Sequence, residues 1–211
     1  MKHHPPNKPN QLGFTLIEMM VVVVIIGIIS AYALNQYSPA NARLKHAARE
    51  LYTNMQDARL GAITTNKTWA ITFDITNNSY SICKDYDKDA TTPECTYEHT
   101  NPTAPHYSPN DSYNLTIYGS SVAFGPGEAT KKATTSGGAF TSSNDYISHA
   151  RDTAVFTNKG LTPNQGYVYL QNNKASSMAV STAYQAGIII IRKWTCTARD
   201  ANNTCTAGDW E

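Results

Sequence analysis

The chain has 211 residues, room for one domain of ordinary size plus an appendage. Its formal net charge is +1 and only 16% of residues are charged, so no global attraction to nucleic acid is expected. The six histidines lack H-x-x-x-H spacing, and neither a G-x-S-x-G elbow nor a phosphate-cradling glycine loop occurs, which argues against an enzyme, a cofactor and a small-molecule substrate.

Residues 1–13 are polar and basic, with Lys2, Lys8, His3, His4 and three prolines. An apolar run follows over 14–34, long enough as a helix to span a bilayer of ~30 Å. Cations ahead of such a run keep that end in the cytoplasm and send the C-terminal body outward, so a single membrane pass is expected. Glu18 lies inside this run. A carboxylate costs roughly 2.5 kcal/mol or more at mid-membrane unless it is paired or protonated, so something specific must use it.

The helical pattern continues over 35–66. Leu44, Ala48, Leu51, Met55, Ala58 and Ala62 recur at steps of three and four, with charged residues on the other faces. A kink is expected near Pro39, since proline in a helix interior removes a hydrogen bond. Helix from Phe14 to about Thr65 would make a rod of roughly 75–80 Å.

Over 67–211 the period changes to two and the composition shifts to Thr, Asn, Ser and Tyr. A hairpin is expected from Trp69–Asp74 and Ser79–Lys84, turning at Asn77 and Asn78. Further strands are expected at Tyr113–Tyr118, Val122–Phe124, Thr153–Phe156, Tyr167–Leu170, Met178–Ser181 and Gly187–Arg192, with long irregular stretches at 85–112 and 125–150. The continuous apolar run Gly187–Ile191 suggests a strand covered on both faces, a neighbouring subunit on the second face being the alternative. The class implied is α+β: one long N-terminal helix, half transmembrane and half amphipathic, packed on a small, mostly antiparallel sheet domain.

Three local features carry chemistry. The four cysteines fall as two sequence-local pairs, Cys83 with Cys95 and Cys196 with Cys205, neither with C-x-x-C spacing. Disulfides and an oxidising compartment are the reading preferred over free thiols; if the bridges are local, each stabilises the fold by roughly 2–3 kcal/mol. Asp85, Asp87 and Asp89 begin a calcium-loop pattern, but position six is Ala90 and position twelve is Thr96, so a solvated acidic loop is the better reading and no metal is expected. Near the C-terminus, Arg192, Lys193, Trp194 and Arg199 could grip phosphates and stack a base, although so few charges fit a solvated strand end better.

The stretch GFTLIEMMVVVVIIGII closely resembles the class III signal of type IV pilins and type II secretion pseudopilins: glycine, then phenylalanine, then glutamate at the fifth mature position. The resemblance implies that residues 1–13 are a leader, removed by a prepilin peptidase between Gly13 and Phe14. Phe14 would then be N-methylated, and Glu18 would pair with the terminal amine of a neighbouring subunit during filament growth. Glu18 also stands one turn from its own N-terminus, where the helix dipole favours an anion, so an intrasubunit contact is the competing reading.

Beyond the signal, ARLKHAARELYTNMQDARLGAITTNKTWAITFD resembles the H-type minor pseudopilins and FimT-type minor pilins through Ala58, Arg59, Ala62, Ile63 and Asn66. The stretches TAVFTNKGLTPNQGYVYL and MAVSTAYQAGIIIIR loosely resemble that group's last strands. The chain departs from major pilins in carrying Asn35 where proline is common. It also lacks the Gly-Arg-x-Arg stretch of DNA-binding FimT-type proteins, having Ile188 after Gly187 and only later Arg192 and Lys193. The resemblance implies a bitopic protein of the bacterial inner membrane, with a periplasmic C-terminal domain, that assembles with other pilins into a pseudopilus or pilus. DNA uptake is the alternative.

Overall fold

Apolar side chains all round a helix leave it no preferred face, and the first element of the structure is of this kind. In the computed structural model, which describes residues 14–36, 39–86, 112–134, 136–183 and 186–211, with side chains in the first helix described to Ser30, α1 spans Leu16–Gln36. Its large side chains from Phe14 to Ile29 are exposed. Among the described residues no helix is long and apolar enough to cross a membrane, so the spanning expectation for 14–34 rests on the sequence. The chain divides into two units, Met1–Ser38 and Pro39–Glu211. The junction expected to kink includes residues 37–38, which lie outside the described residues.

The second unit begins with α2, Pro39–Thr65. Pro39 is its first residue, where the missing N–H would be unpaired in any helix. The buried stripe is Leu44, Ala47, Ala48, Leu51, Asn54, Met55, Ala58 and Ala62. Alanine at half of these positions lets strands approach the helix axis closely, while Leu51 and Met55 fill the space between them. Asn54 is the polar member; its Nδ2 donates to the Tyr80 hydroxyl at 2.8 Å, which satisfies a group otherwise costly to bury. Burial raises the Tyr80 phenol far above its ordinary value, so it stays neutral.

Against this stripe lie two sheets whose strand pairs are all antiparallel. The first has the order β3-β2-β1-β5, from β1 (Trp69–Asp74), β2 (Ser79–Lys84), β3 (Ser112–Asn114) and β5 (Thr153–Phe156). The second has the order β4-β6-β7-β8-β9, from β4 (Ala123–Phe124), β6 (Gly166–Gln171), β7 (Ser177–Thr182), β8 (Ile189–Arg199) and β9 (Cys205–Trp210). Ile71, Phe73 and Phe156 from the first sheet and Val168, Leu170 and Val180 from the second join the α2 stripe in one core. Where one sheet was expected there are two, bridged by a single helix.

Four expectations are revised. The strand at Tyr113–Tyr118 ends at Asn114, whose side chain accepts the Thr116 N–H at 2.9 Å and starts a 3-10 turn over Leu115–Tyr118. The strand at Gly187–Arg192 starts at Ile189 and runs to Arg199, where it turns back into β9, which was not anticipated. The apolar run is not covered on both faces: Ile189 is 5% exposed, but Ile188 and Ile190 are 53% and 38% exposed. The strand buried on both faces is β7.

Its outer cover comes from the largely irregular stretches 126–134 and 136–146. Ala133 and Phe140 pack on Tyr169, Ala179 and Trp210. The Ala133 N–H donates to the Tyr169 hydroxyl and its carbonyl accepts from Arg192 Nη1, both at 2.8 Å. Trp210 Nε1 donates to the Lys131 carbonyl at 2.8 Å, and Lys132 pairs with Asp145 at 2.6 Å. Three backbone groups of the strap are thus taken by side chains of the sheet beneath it, and others bond within the strap itself.

Candidate functional site

A helix leaves its first four N–H groups without intrahelical partners. In α1 the residue that answers this is Thr15. Its Oγ1 accepts the Glu18 N–H at 3.3 Å, and its carbonyl accepts from the N–H groups of Glu18 and Met19 at 3.1 and 3.2 Å. The spacing Thr-x-x-Glu is that of a capping box, and it puts Glu18 in the first turn, where the dipole favours a carboxylate.

Glu18 is exposed, as are Leu16, Ile17, Met19 and Met20 around it, and Phe14 is 78% exposed. Among the described residues Glu18 has no ion-pair partner. Gly13 lies outside the described residues. Chemically, this segment offers one exposed carboxylate in the first turn of an apolar helix. The signal for the Thr15 cap in the sequence is the spacing Thr-x-x-Glu, set inside an apolar run.

The second group of signature residues converges at the far end of α2. Ala58 and Ala62 are fully buried. Between them Arg59 donates from Nε to the Gly160 carbonyl at 2.8 Å and from Nη2 to the Ala186 carbonyl at 3.3 Å. Asn66 has φ +53, ending the helix in a left-handed turn, and its Oδ1 accepts from Asn158 Nδ2 at 3.0 Å. Gly187, at φ +59, passes so close that a Cβ there would sit 2.0 Å from the Gly160 carbonyl oxygen. These residues join α2 to the β5–β6 and β7–β8 turns; their geometry is that of a structural clamp.

The remaining candidates are separated by the fold. Cys196 and Cys205 form a disulfide, Cα–Cα 5.9 Å, that staples the β8–β9 hairpin. Cys83 is disulfide-bonded too; Cys95, its sequence-local counterpart, lies outside the described residues. Asp85 pairs with Lys67, while Asp87 and Asp89 lie outside the described residues. Glu128 stands beside the Cys196 and Cys205 sulfurs in a metal-like grouping, but the sulfurs are oxidised and Glu128 pairs with Arg199 at 2.8 Å. Arg192 and Lys193 do not form one patch. Successive strand residues face opposite ways: Arg192 stands opposite Ala179 under the strap, and Lys193 opposite Met178 on the core-facing side.

Residues 8–34 match the family model of the prokaryotic N-terminal methylation motif. Comparison with curated proteins and with solved structures gives no match. The chain therefore carries a type IV pilin-like prepilin signal ahead of an α+β domain. That class is structural, and its signal goes with membrane-anchored or filament-associated proteins assembled from pilin-like subunits.

Proposed function

We propose that this protein is a minor pilin or pseudopilin of a type II secretion pseudopilus or type IV pilus, closest to the H-type and FimT-type group. A prepilin peptidase cuts between Gly13 and Phe14, Phe14 is N-methylated, and the helix from Phe14 onward enters the filament. The observation that carries this reading is the methylation motif over residues 8–34, with its apolar helix and single carboxylate. In that setting Glu18 pairs with the terminal amine of a neighbouring subunit. Two charges that are costly alone in hydrocarbon become less costly together, so pairing favours assembly and fixes the axial register. The subgroup assignment is supported by residues 42–74, and the placement of Arg192 and Lys193 on opposite faces gives DNA uptake no support.

The test separates processing from assembly. Glu18→Ala is expected to reach mature length on an immunoblot yet be missing from sheared filaments; normal incorporation would overturn the pairing role. A bulky residue in place of Gly13 is expected to block maturation, and mature-length protein from that variant would overturn the cleavage assignment.

A further inference from the structure

Sheet register places a set of hydroxyl side chains in line across the outer face of the first sheet, the face turned away from α2. Ser112 stands opposite Ser81, Ser81 opposite Thr72, and Thr72 opposite Thr153, one residue from each of the four strands. The next row pairs Asp74 with Ser79. Ser112, Ser81 and Thr72 line a cleft of about 640 Å³, together with Asn144 and Asp152. That volume is within the usual range for a small-molecule site.

The polar groups of this cleft are only partly satisfied. Thr72 Oγ1 and Ser81 Oγ share one hydrogen bond of 2.7 Å, and each hydroxyl offers one donor and two acceptors, so the pair keeps donor and acceptor capacity for a ligand. Asp74 is held in place by Asn77, whose N–H and Nδ2 donate to it at 3.0 and 2.6 Å, and by the Thr76 backbone N–H. The Asp152 carboxylate makes no side-chain hydrogen bond among the described residues, and burial raises its carboxyl above the ordinary value. Among the described residues no Lys, Arg or His lines the cleft.

These features narrow the ligand. Two carboxylates without a cation repel phosphates and acidic polymers. The floor is β1 and β2, interior strands paired with each other from end to end and with β5 and β3 over part of their length, so an extended peptide finds little free edge there to join. Hydroxyls outnumber carboxylates, which suits a hydrogen-bonding neutral ligand better than a hard cation. Half-buried Ile75 gives a small apolar contact for C–H groups. We propose that the cleft on the outer face of the first sheet binds a neutral saccharide, whose hydroxyls exchange hydrogen bonds with Thr72, Ser81 and Ser112 and donate to Asp152.

The experiment uses the full chain in phosphocholine micelles, which carry no sugar, with maltotetraose, cellotetraose and N,N′,N″,N‴-tetraacetylchitotetraose as ligands in saturation-transfer NMR. Without an exposed aromatic platform the expected affinity is modest, a Kd of about 1–10 mM for at least one of the three. Thr72→Val combined with Ser81→Ala removes both partners of a hydrogen bond together, which keeps folding intact, and should weaken binding by about tenfold. Asp152→Asn keeps the shape and tolerates the left-handed backbone at this position, φ +50, and should weaken it likewise. Circular-dichroism melting confirms that both variants fold. No transfer to any of the three sugars, or transfer unchanged in both variants, overturns the proposal. A melting shift with calcium that Asp152→Asn abolishes, in the absence of sugar transfer, also overturns it and assigns the cleft to a cation.

Discussion

His149 makes the second unit sensitive to acid. The imidazole is 5% exposed, stacks on Phe73 with ring centroids 6.2 Å apart, and its Nε2 has no hydrogen-bond partner among the described residues. It lies so tightly on Gly166 that a Cβ there would come within 2.2 Å of Nδ1. Burial lowers its pKa from 6.5 to about 4. The unfolded chain thus takes up a proton near pH 6.5, while the folded chain refuses it until about pH 4. Stability from this group is complete above pH 6.5 and is lost as pH falls toward 4.

The gap corresponds to about 3 kcal/mol, a large fraction of the stability of most domains. Urea unfolding of residues 39–211, followed by circular dichroism between about pH 7.5 and 4.5, should show the midpoint falling by roughly 1–2 M. Asp152, whose carboxyl is raised by burial, opposes the trend; Asp145, held well below the usual range by Lys132 and Thr141, contributes only at lower pH. His149→Leu should flatten the profile whatever it does to stability at neutral pH. An equally steep decline in that variant over the same window would refute the reasoning.

Arg59→Ala leaves the Gly160 and Ala186 carbonyls without their charged donor and should cost about 2–3 kcal/mol, lowering the melting temperature of residues 39–211 by roughly 5–10 °C. A shift under about 2 °C would show that the clamp is dispensable. Replacing Cys196 and Cys205 together by serine should cost about 2–3 kcal/mol and should make the melting of the hairpin insensitive to reductant. An undiminished melting temperature in that variant would show that the strap and Trp210 alone hold β8 to β9.

The amphipathic stripe of α2 and the first hairpin were legible because their signals are local. Leu44 to Ala62 keep helical spacing, and Asp74 through Asn78 form a turn whose side chains bind their own backbone. Leu115–Tyr118 misled because Leu115 and Ile117 alternate like a strand, while the Asn114 side chain that starts the turn competes at a level the period does not record. β9 escaped notice because only Cys205 and Gly208 along it are buried; its partner strand, a disulfide and Trp210 hold it in place.

The separation of Arg192 from Lys193 was hidden for a different reason. Adjacent cations look like one patch until register assigns them to faces. The hydroxyl row is the opposite case: residues as distant in the chain as Thr72, Ser112 and Thr153 become neighbours only through strand pairing.

Thr15 has a consequence for the moment of maturation. Donor and acceptor of the cap, the Glu18 N–H and the Thr15 hydroxyl, both lie after Phe14. A cut between Gly13 and Phe14 would leave this cap in place when the leader departs. The new amine would then emerge one residue ahead of a turn already in its final geometry, and its position would be fixed by Thr15 before any neighbour arrived.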